Sequence, residues 1–296
     1  MSNLQENSQY HIPVMTSEVL EFLNLKKDGV YIDGTIGAGG HTNEILSNLS
    51  SKAKVIGLDR DNDALEIAKK RLIHFKKQIS LHHSSYHHIS NIMKLNNISK
   101  VDGILLDLGL SSMQLNTKNR GFSFQKNDRI DMRFDQSSGE TANELIKRLT
   151  QEQLADIIFE FGEERRSRRI AKSIKKSNML ITTNDLTDAI RKSTPPHQRN
   201  KTLARVYQAI RIAVNNEIEK LKNFLEIFLH HLNSKGRLVI ISYHSIEDRL
   251  VKNFFRQLKL DSKANILTKK PLTPSTKEIQ SNRRSRSAKI RALEKI

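Results

Sequence analysis

The stretch VYIDGTIGAGGH, residues 30–41, decides how this chain folds. Its first four residues, apolar up to the closing Asp33, predict a short buried β-strand. Five of the chain's twelve glycines lie between Gly29 and Gly40, which predicts a tight turn directly after the strand. A helix is predicted next, over residues 41–49. A glycine turn between a strand and a helix is typical of a cofactor-binding α/β domain.

Strands and helices keep alternating beyond this turn. Residues 55–59, 79–82 and 104–107 predict three more strands. Asp61 can cap an amphipathic helix over residues 62–75. This alternation predicts an α/β fold with an open, mostly parallel sheet.

The alternation stops at about residue 112. No strand is predicted before residue 215, and the segment contains four helical patterns, at residues 141–149, 151–178, 184–192 and about 200–232. Gly236 is predicted to end the last helix, and a strand at 237–242, a helix at 246–258 and an edge strand with a loop complete the chain. We therefore predict a sheet domain, residues 1–112 and 216–296, with residues 113–215 inserted as a helical domain.

The net charge of +18 is concentrated in two segments. Residues 160–211 carry thirteen Lys and Arg against five Asp and Glu, and residues 252–296 carry thirteen against three. Two basic segments beside a neutral remainder favour two surfaces that contact nucleic-acid phosphates, although a solvated helix face accounts equally well for the first. The densest parts are the first arginine run (Arg165, Arg166, Arg168 and Arg169) and the second arginine run (Arg283, Arg284 and Arg286).

Composition excludes several classes of protein. With 37% hydrophobic residues the chain can form a buried core, so a wholly disordered basic tail is excluded. The absence of cysteine excludes a disulfide framework, a thiolate metal site and a cysteine nucleophile. Residues 1–10 lack the pattern of a signal peptide, and no apolar run reaches the roughly 18 residues of a membrane span. These features favour a cytoplasmic protein without membrane contact.

The glycine turn has three possible interpretations. A P-loop requires Lys followed by Ser or Thr after the last glycine, whereas His41 and Thr42 stand here. A dinucleotide fingerprint requires a third glycine or alanine at the position of Thr42. A turn for S-adenosylmethionine (SAM) holds no pyrophosphate and needs close backbone approach instead, which suits Asp33, Gly37 and Gly39.

Three carboxylates end predicted strands: Asp33, Asp59 and Asp107. Because parallel strands end at one edge of a sheet, we expect these carboxylates to converge on one crevice. Asp59, about twenty residues after the turn, can accept hydrogen bonds from both ribose hydroxyls. Asp107 can polarise the N–H of an exocyclic base amine, whose lone pair is delocalised into the ring, and receive its proton. A capping or turn role is the alternative for each of them.

Two histidine pairs, at residues 82–83 and 87–88, invite a metal interpretation. The chain has no cysteine and no His-Glu-x-x-His motif, so no metal site is predicted. Tyr86 follows the third predicted strand and can stack on adenine, although a core or surface role is equally compatible with the sequence.

Ordered motifs along nearly the whole chain resemble the RsmH (MraW) family, bacterial SAM-dependent methyltransferases of small-subunit ribosomal RNA. The resemblance is carried by HIPV at 11–14, YIDGT at 31–35, GAGGH at 37–41, DRD at 59–61, DGILLDLG at 102–109 with Ser111, Ser112 and Gln114, RGFSF at 120–124, DMR at 131–133, NKT at 200–202, QAIRI at 208–212, VN at 214–215, SYHSIEDR at 242–249 and RSRSAK at 284–289.

The resemblance implies a class I (Rossmann-like) methyltransferase sheet with an inserted helical domain that recognises RNA. It implies methyl transfer from SAM, leaving S-adenosylhomocysteine, to the exocyclic N4 of a cytidine in 16S rRNA. The target would lie in the decoding centre near the P site, within the assembled small ribosomal subunit. The implied SAM contacts are Gly39, Gly40, His41, Asp59, Tyr86, Asp107 and Gln114.

The chain departs from the family pattern at three positions. Tyr86 and Tyr243 replace a common Phe, and Met113 replaces a common Pro. The stretch DLGL at 107–110 also differs from the Asp/Asn-Pro-Pro-Tyr of other amino methyltransferases, so His244 or a backbone carbonyl is an alternative group to face the amine.

Two further functions are compatible with parts of the sequence. One is an RNA-binding assembly factor that retains a SAM fold without turnover. The other is a dinucleotide oxidoreductase, which Thr42 and the charge of +18 disfavour. Monomer and homodimer are both compatible with the sequence.

Overall fold

The computed structural model describes residues 13–177 and 179–296, so the prediction that residues 1–10 form no signal peptide lies outside the described residues. The chain divides into two compact units. The sheet unit comprises the chain up to Gly109 together with Glu219–Ile296, and the helical unit is Leu110–Ile218. These bounds lie within three residues of the boundaries that the sequence predicts.

Within the described ranges the sheet unit contains seven strands: β1 (Val30–Asp33), β2 (Lys54–Asp59), β3 (Ile79–His83), β4 (Val101–Asp107), β5 (Leu232–Ser242), β6 (Ala264–Ile266) and β7 (Lys289–Lys295). They form one sheet in the order β3-β2-β1-β4-β5-β7-β6. The first five strands pair in parallel, and β7 is antiparallel to both of its neighbours. This topology confirms the predicted α/β fold with a class I methyltransferase sheet.

The described helices are α1 (Thr16–Leu23), α2 (Gly40–Ser47), α3 (Asn62–Arg71), α4 (Ile89–Leu95), α5 (Ser112–Asn116), α6 (Ala142–Arg148), α7 (Gln151–Gly162), α8 (Ser167–Lys175), α9 (Thr183–Lys192), α10 (Arg199–Asn215), α11 (Glu217–His231), α12 (Ser245–Leu260) and α13 (Thr276–Ser281). Asp61 caps α3, as predicted, by accepting from the Asp63 backbone N–H at 3.2 Å. None of the helices in the described chain combines the length and apolar character needed to cross a bilayer.

Alternating side chains of the central strands build a core on each face of the sheet. Ile32 and Ile104 point to one face, where they pack in a cluster with Phe224 of α11. Tyr31 and Leu105, one position along each strand, pack in the cluster on the other face. Both faces are therefore covered, and the carboxyl edge of the strands is left for a ligand.

The sequence predicts two helices that are too long. The predicted helix at 151–178 is two helices, α7 and α8, because Glu163 adopts a left-handed conformation with φ of 50°. The predicted helix at about 200–232 is also two, α10 and α11, because Asn216 has φ of 50°. A left-handed residue interrupts the helical hydrogen-bond ladder, and of these two residues only Asn216 is of a type that tolerates this conformation readily.

The carboxyl-terminal third holds two further corrections. Gly236 does not end a helix, because α11 ends at His231 and Gly236 lies within β5. The last strand is not an edge strand, because β7 lies between β5 and β6, and the three-residue β6 forms the edge. A strand this short carries too few residues for a visible alternation of apolar side chains.

The helical unit has its own core. Leu154, Ile158, Ile170, Leu186 and Val206, from four helices, are fully buried in one cluster. An isolated bridge joins Arg129 to Thr182, and in the described part of this unit no strand occurs, as predicted.

Candidate active site

The glycine turn joins β1 to α2 at the carboxyl edge of the sheet. Gly37 and Gly39 have φ of 52° and 76°, values that residues with a side chain rarely adopt. A Cβ on Gly39 would lie 3.1 Å from Leu72, so this glycine also permits close packing after α3. A Cβ on Gly37 would meet nothing closer than the Thr35 carbonyl oxygen at 3.9 Å. The backbone at Gly37 is therefore open to the approach of a ligand.

Asp33 braces this turn. Its Oδ2 accepts from the Thr42 hydroxyl at 2.7 Å, and its Oδ1 accepts from the Thr35 N–H at 3.2 Å. Burial raises the pKa of Asp33, and the hydrogen bond from Thr42 opposes that rise. Both oxygens are thus used inside the turn, and a direct contact of Asp33 with SAM stays a prediction.

Asp59 ends β2 and links the turn to α3. Its Oδ2 accepts from the Gly37 N–H at 2.8 Å, and its Oδ1 accepts from the Asp61 N–H at 2.9 Å. Burial raises the pKa of Asp59 to about 6, although both backbone hydrogen bonds lower it. Each carboxylate oxygen offers about two acceptor positions, so one position on each oxygen is left for a ligand hydroxyl.

Asp107 ends β4, the strand beside β1. Its backbone N–H donates to the Thr35 hydroxyl at 2.6 Å, which ties it to the glycine turn. Its Oδ2 lies 3.6 Å from Nε2 of His41. Its Oδ1 is buried and has no hydrogen-bond partner among the described residues. A buried carboxylate oxygen without a donor is costly, so this atom is available to accept from an N–H or O–H of a ligand, and that contact stays a prediction.

Gly40 and His41 form the first turn of α2. A Cβ on Gly40 would lie 3.2 Å from Pro13, so the glycine allows the incoming chain to pack there. The His41 ring is buried, and neither of its nitrogens has a hydrogen-bond partner within the described chain. His41 therefore has hydrogen-bonding capacity to offer a ligand beside Asp107.

Tyr86 lies at the same edge of the sheet. It begins a single 3₁₀ turn, Tyr86–His88, three residues after β3. Its ring is half-buried and packs edge-on against Phe224, with centroids 5.6 Å apart and an interplanar angle of 85°. Stacking of Tyr86 on adenine stays a prediction.

Gln114 belongs to the helical unit, where it forms a capping box with Ser111. The Gln114 N–H donates to the Ser111 hydroxyl, and the Ser111 N–H donates to Oε1 of Gln114, both at 3.1 Å. The side-chain oxygen of Gln114 is therefore engaged locally, and its contact with SAM stays a prediction.

His244 caps α12. Its Nδ1 accepts from the Glu247 N–H at 3.4 Å, and its Nε2 lies 3.1 Å from Oε1 of Glu247. Both ring nitrogens are thus directed at the first turn of the same helix. The Nε2 atom is buried without a hydrogen-bond partner among the described residues, and contact of His244 with a substrate amine stays a prediction.

Two of the four histidines, His82 and His83, end β3, and the other two, His87 and His88, lie in the 3₁₀ turn that follows. His82 Nε2 lies 3.0 Å from the Asn96 amide, His83 Nε2 lies 3.0 Å from the Arg60 carbonyl oxygen, and the rings of His87 and His88 pack 3.9 Å apart. Burial lowers the pKa of His87 to about 4.

The arginine runs contain exposed and half-buried members. In the first run Arg165, Arg168 and Arg169 are exposed, whereas Arg166 donates to the Gln198 side chain. In the second run Arg283 and Arg286 are exposed. Arg284 is half-buried, and burial lowers its pKa. Five of the seven arginines predicted to contact RNA are thus exposed, and Arg166 and Arg284 are half-buried.

The helical unit contains a cavity of about 470 Å³ that the sequence does not predict. It is lined by Phe124, Gln125, Asn184, Thr187, Arg191 and Asn200. Only Phe124 and Asn200 lie in motifs noted in the sequence. The lining comes from three segments, the loop at Phe124, α9 and the start of α10, which only folding brings together.

The RGFSF and DMR motifs hold a loop of the helical unit in place. The buried Arg120 donates to the carbonyl oxygens of Arg133 and Phe134, at 3.3 and 3.1 Å. Asn215 accepts from the Phe134 N–H at 2.8 Å and donates to the Met132 carbonyl oxygen at 2.7 Å. These contacts give the two motifs a structural role.

Known proteins resemble the chain along its whole length. A model of the family described as MraW methylase matches residues 8–296. The chain is 43% identical to the ribosomal RNA small subunit methyltransferase H of Kosmotoga olearia, over 99% of each protein. It is 44% identical to the protein of the same name from Thermotoga neapolitana, over 99% of this chain and 98% of that one.

A solved structure supports the fold alone. The crystal structure of a candidate rRNA-methylase from Clostridium thermocellum is 12% identical in sequence. It matches with a TM-score of 0.50, covering 97% of this chain and 100% of its own.

Proposed function

Because the chain belongs to the MraW methylase family, we propose that it methylates the exocyclic N4 of a cytidine in the decoding centre, near the P site, of 16S rRNA. The chain is a SAM-dependent rRNA methyltransferase, as its family and its relatives indicate. The nucleotide and the atom that receive the methyl group are the proposal.

The described residues at the carboxyl edge fit the cofactor. SAM supplies an electrophilic methyl group on a sulfonium sulfur. The open backbone at Gly37 and the unpaired nitrogens of His41 offer contacts to a ligand. We assign the remaining acceptor positions of Asp59 to the ribose hydroxyls. The other proposed SAM contacts are Gly39, Gly40, Tyr86, Asp107 and Gln114.

The observation that carries the proposal is the buried, unpaired Oδ1 of Asp107. The lone pair of a cytosine amine is delocalised into the ring, so N4 is a poor nucleophile toward the methyl carbon. It becomes a better one when an acceptor takes a hydrogen bond from the amine N–H. Asp107 provides that acceptor. As the N4–C bond forms, the C–S bond breaks with its electrons on sulfur, and the proton lost by N4 passes to Asp107.

Composition argues against methylation of a pyrimidine ring carbon by covalent catalysis. That reaction adds a nucleophile, typically a cysteine thiolate, to the ring before the methyl group arrives. The chain contains no cysteine. Methylation of the exocyclic amine needs no nucleophile on the protein. It needs only an acceptor for the amine proton, and Asp107 provides one.

The helical unit and the carboxyl-terminal segment supply the groups for RNA. We propose that the five exposed arginines of the two runs contact phosphates, since the runs are the densest parts of residues 160–211 and 252–296 and the chain outside these two segments carries no net charge. The cavity of the helical unit offers an aromatic ring and several amides, a composition that suits an unpaired base. We place this reaction in the cytoplasm, on the assembled small subunit.

The test measures methyl transfer to the N4 atom. Mass mapping of 16S rRNA from cells with and without this gene should show one cytidine that loses 4-methylation when the gene is removed. In single-turnover assays with radiolabelled SAM and small subunits, Asp107→Asn should lower the rate at saturating SAM by about a hundredfold or more.

Asp102→Asn is the matched control for Asp107→Asn. Asp102 lies at the other end of β4, where it accepts from Lys26 Nζ and the Val30 N–H. This variant should lose stability and keep the rate. An Asp107→Asn enzyme with a normal rate at saturating SAM would reduce Asp107 to a cofactor ligand, and unmethylated subunits with the wild-type protein would favour an assembly factor without turnover.

A further inference from the structure

The second arginine run lies at the carboxyl edge of the sheet. Because β7 is antiparallel to β5, its first residue, Lys289, pairs with Ser242, the last residue of β5. The run belongs to the 3₁₀ turn Arg283–Ser287, which ends two residues before β7 begins. The topology therefore brings this run to the edge that carries the glycine turn and Asp107, although the three segments are far apart in the sequence.

The strand register gives the separation between the run and Asp107. Asp107 pairs with Ile241 of β5, and Ile241 pairs with Ile290 of β7. Neighbouring strands lie about 4.8 Å apart, so the backbone of Ile290 is roughly 10 Å from that of Asp107. This separation is comparable with the distance between the base amine and the phosphate of one nucleotide. An amine at Asp107 would thus bring its own phosphate close to the chain that leads into β7.

The segment before the run is anchored beside the glycine turn. Oε1 of Glu278, in α13, accepts from the Met15 N–H at 2.6 Å. Pro13, two residues before Met15, packs against the first residue of α2, since a Cβ on Gly40 would lie 3.2 Å from it. Glu278 therefore ties α13, and the turn that follows it, to residues that border the cofactor site.

The 3₁₀ turn presents two of its arginines in a fixed conformation. Ser285 is fully buried, and its hydroxyl donates to the Asn282 carbonyl oxygen at 2.8 Å. The Ala288 N–H donates to the Ser285 carbonyl oxygen at 2.7 Å and closes the turn before β7. Arg283 and Arg286, on either side of Ser285, are exposed, and neither forms an ion pair within the described chain. Both guanidinium groups can therefore bind an anion.

We propose that Arg283 and Arg286 bind the phosphates of the target nucleotide itself, and so position its base in front of Asp107. The inference rests on the proposed function, which supplies the RNA substrate and the acceptor. A target base must leave its stack to reach a pocket, and phosphate contacts fix the position of the backbone without reading its sequence. We assign to the first arginine run, which belongs to the helical unit, affinity for the subunit alone.

Single-turnover assays at saturating SAM, over a series of small-subunit concentrations, separate these two roles. The subunits come from cells without this gene. The double variant Arg283→Ala, Arg286→Ala should lower the rate at saturating subunit by about tenfold, because a base without its phosphate anchors seldom reaches the acceptor. The triple variant Arg165→Ala, Arg168→Ala, Arg169→Ala should raise the half-saturating concentration and leave the saturated rate unchanged. The dissociation constant for SAM, from calorimetry, should change less than twofold in both.

Two further comparisons separate position from charge. The double variant Lys69→Ala, Lys70→Ala removes two exposed cations from the last turn of α3 and should keep the saturated rate. Glu278→Ala removes the acceptor of the Met15 N–H and should lower the saturated rate although both arginines are present. Glu278→Gln keeps a side-chain oxygen as acceptor and should restore most of that rate. Restoration by Gln would show that the tether matters rather than the negative charge.

Two results would overturn the inference. One is a wild-type rate at saturating subunit in the double variant Arg283→Ala, Arg286→Ala. The other is a loss of SAM affinity in that variant with a normal rate once SAM saturates, which would assign the two arginines to the cofactor site. Mass mapping of the wild-type product tests the proposed function separately, because the comparison of saturated rates requires only that a methyl group reaches the RNA.

Discussion

The binding of SAM should depend on pH through Asp59. Burial raises the pKa of this carboxyl to about 6 in the unliganded protein. The ionised form is the one that can accept from both ribose hydroxyls while it also holds the Gly37 and Asp61 N–H groups. Affinity should therefore be full well above pH 6 and should fall as pH drops through 6. At pH 5 about one carboxyl in eleven is ionised, so the dissociation constant should be roughly tenfold higher than at pH 8.

Asp59→Asn tests this assignment better than Asp59→Ala. The carboxylate accepts from two backbone N–H groups, at 2.8 and 2.9 Å, and Ala would leave both unpaired and disturb the turn. Asn keeps one acceptor and loses the charge. At pH 8 we expect SAM to bind about tenfold to a hundredfold more weakly, since a hydrogen bond to a charged group contributes about 1.5–3 kcal/mol.

Isothermal titration calorimetry with SAM at several values of pH between 5 and 8 supplies the measurement. The wild type should show the loss of affinity at low pH, and Asp59→Asn should show a flat dependence. Glu66→Gln, which removes an exposed carboxylate from α3, should behave as the wild type. A wild-type affinity that does not change with pH, or a pH dependence that survives in Asp59→Asn, would refute the ribose assignment.

The remaining predictions concern the RNA surfaces and a turn of the helical unit. Changing the exposed members of the first arginine run, Arg165, Arg168 and Arg169, to Ala should weaken small-subunit binding and flatten its logarithmic salt dependence by up to about 0.7–0.9 per lost phosphate contact. The same change at Arg283 and Arg286 should act likewise. Replacement of three exposed lysines of the sheet unit, Lys69, Lys70 and Lys77, is the charge-matched control for the first run. Slopes of both arginine variants identical to the wild-type slope would mean that the runs are solvated surface. SAM affinity should stay near the wild-type value in all of these proteins. Gly121→Ala should lower the free energy of unfolding, measured with urea, by more than Gly139→Ala does. Both glycines have positive φ, a strain of about 1–2 kcal/mol for Ala, but only at Gly121 would the new Cβ meet a backbone atom, the Arg129 carbonyl oxygen at 2.4 Å. Equal losses of stability would show that the loop around Gly121 relaxes freely.

The elements that the sequence predicts well are those with a local physical cause. The strands that carry Asp33, Asp59 and Asp107 are short apolar runs bounded by turn residues, so their carboxyl ends could be located without coordinates. The cap of α3 by Asp61 was visible for the same reason. The helix breaks at Glu163 and Asn216 were not visible in the sequence, because each depends on one residue in a left-handed conformation that packing imposes.

The placement of β7 illustrates the opposite case. Its pairing with β5 joins residues 47 to 57 positions apart, from Ser242 beside Lys289 to Arg237 beside Glu294. No pattern within a strand specifies its neighbour, so the sequence alone left the last strand at the edge. The pairing follows from burial of Ile290 and Leu293 in the two cores of the sheet unit.

The amino-acid sequence by itself determined the fold class, the glycine turn, the carboxylates at the strand ends and the two basic segments, because each of these depends on residues that are neighbours in the sequence. Only the tertiary structure decided what those groups do to one another. It showed that both oxygens of Asp33 brace the turn, that Asp59 already holds two backbone N–H groups, and that Asp107 keeps one buried oxygen without a donor. Hydrogen bonds and burial depend on groups that the chain brings together from distant positions, and those contacts exist only once it has folded.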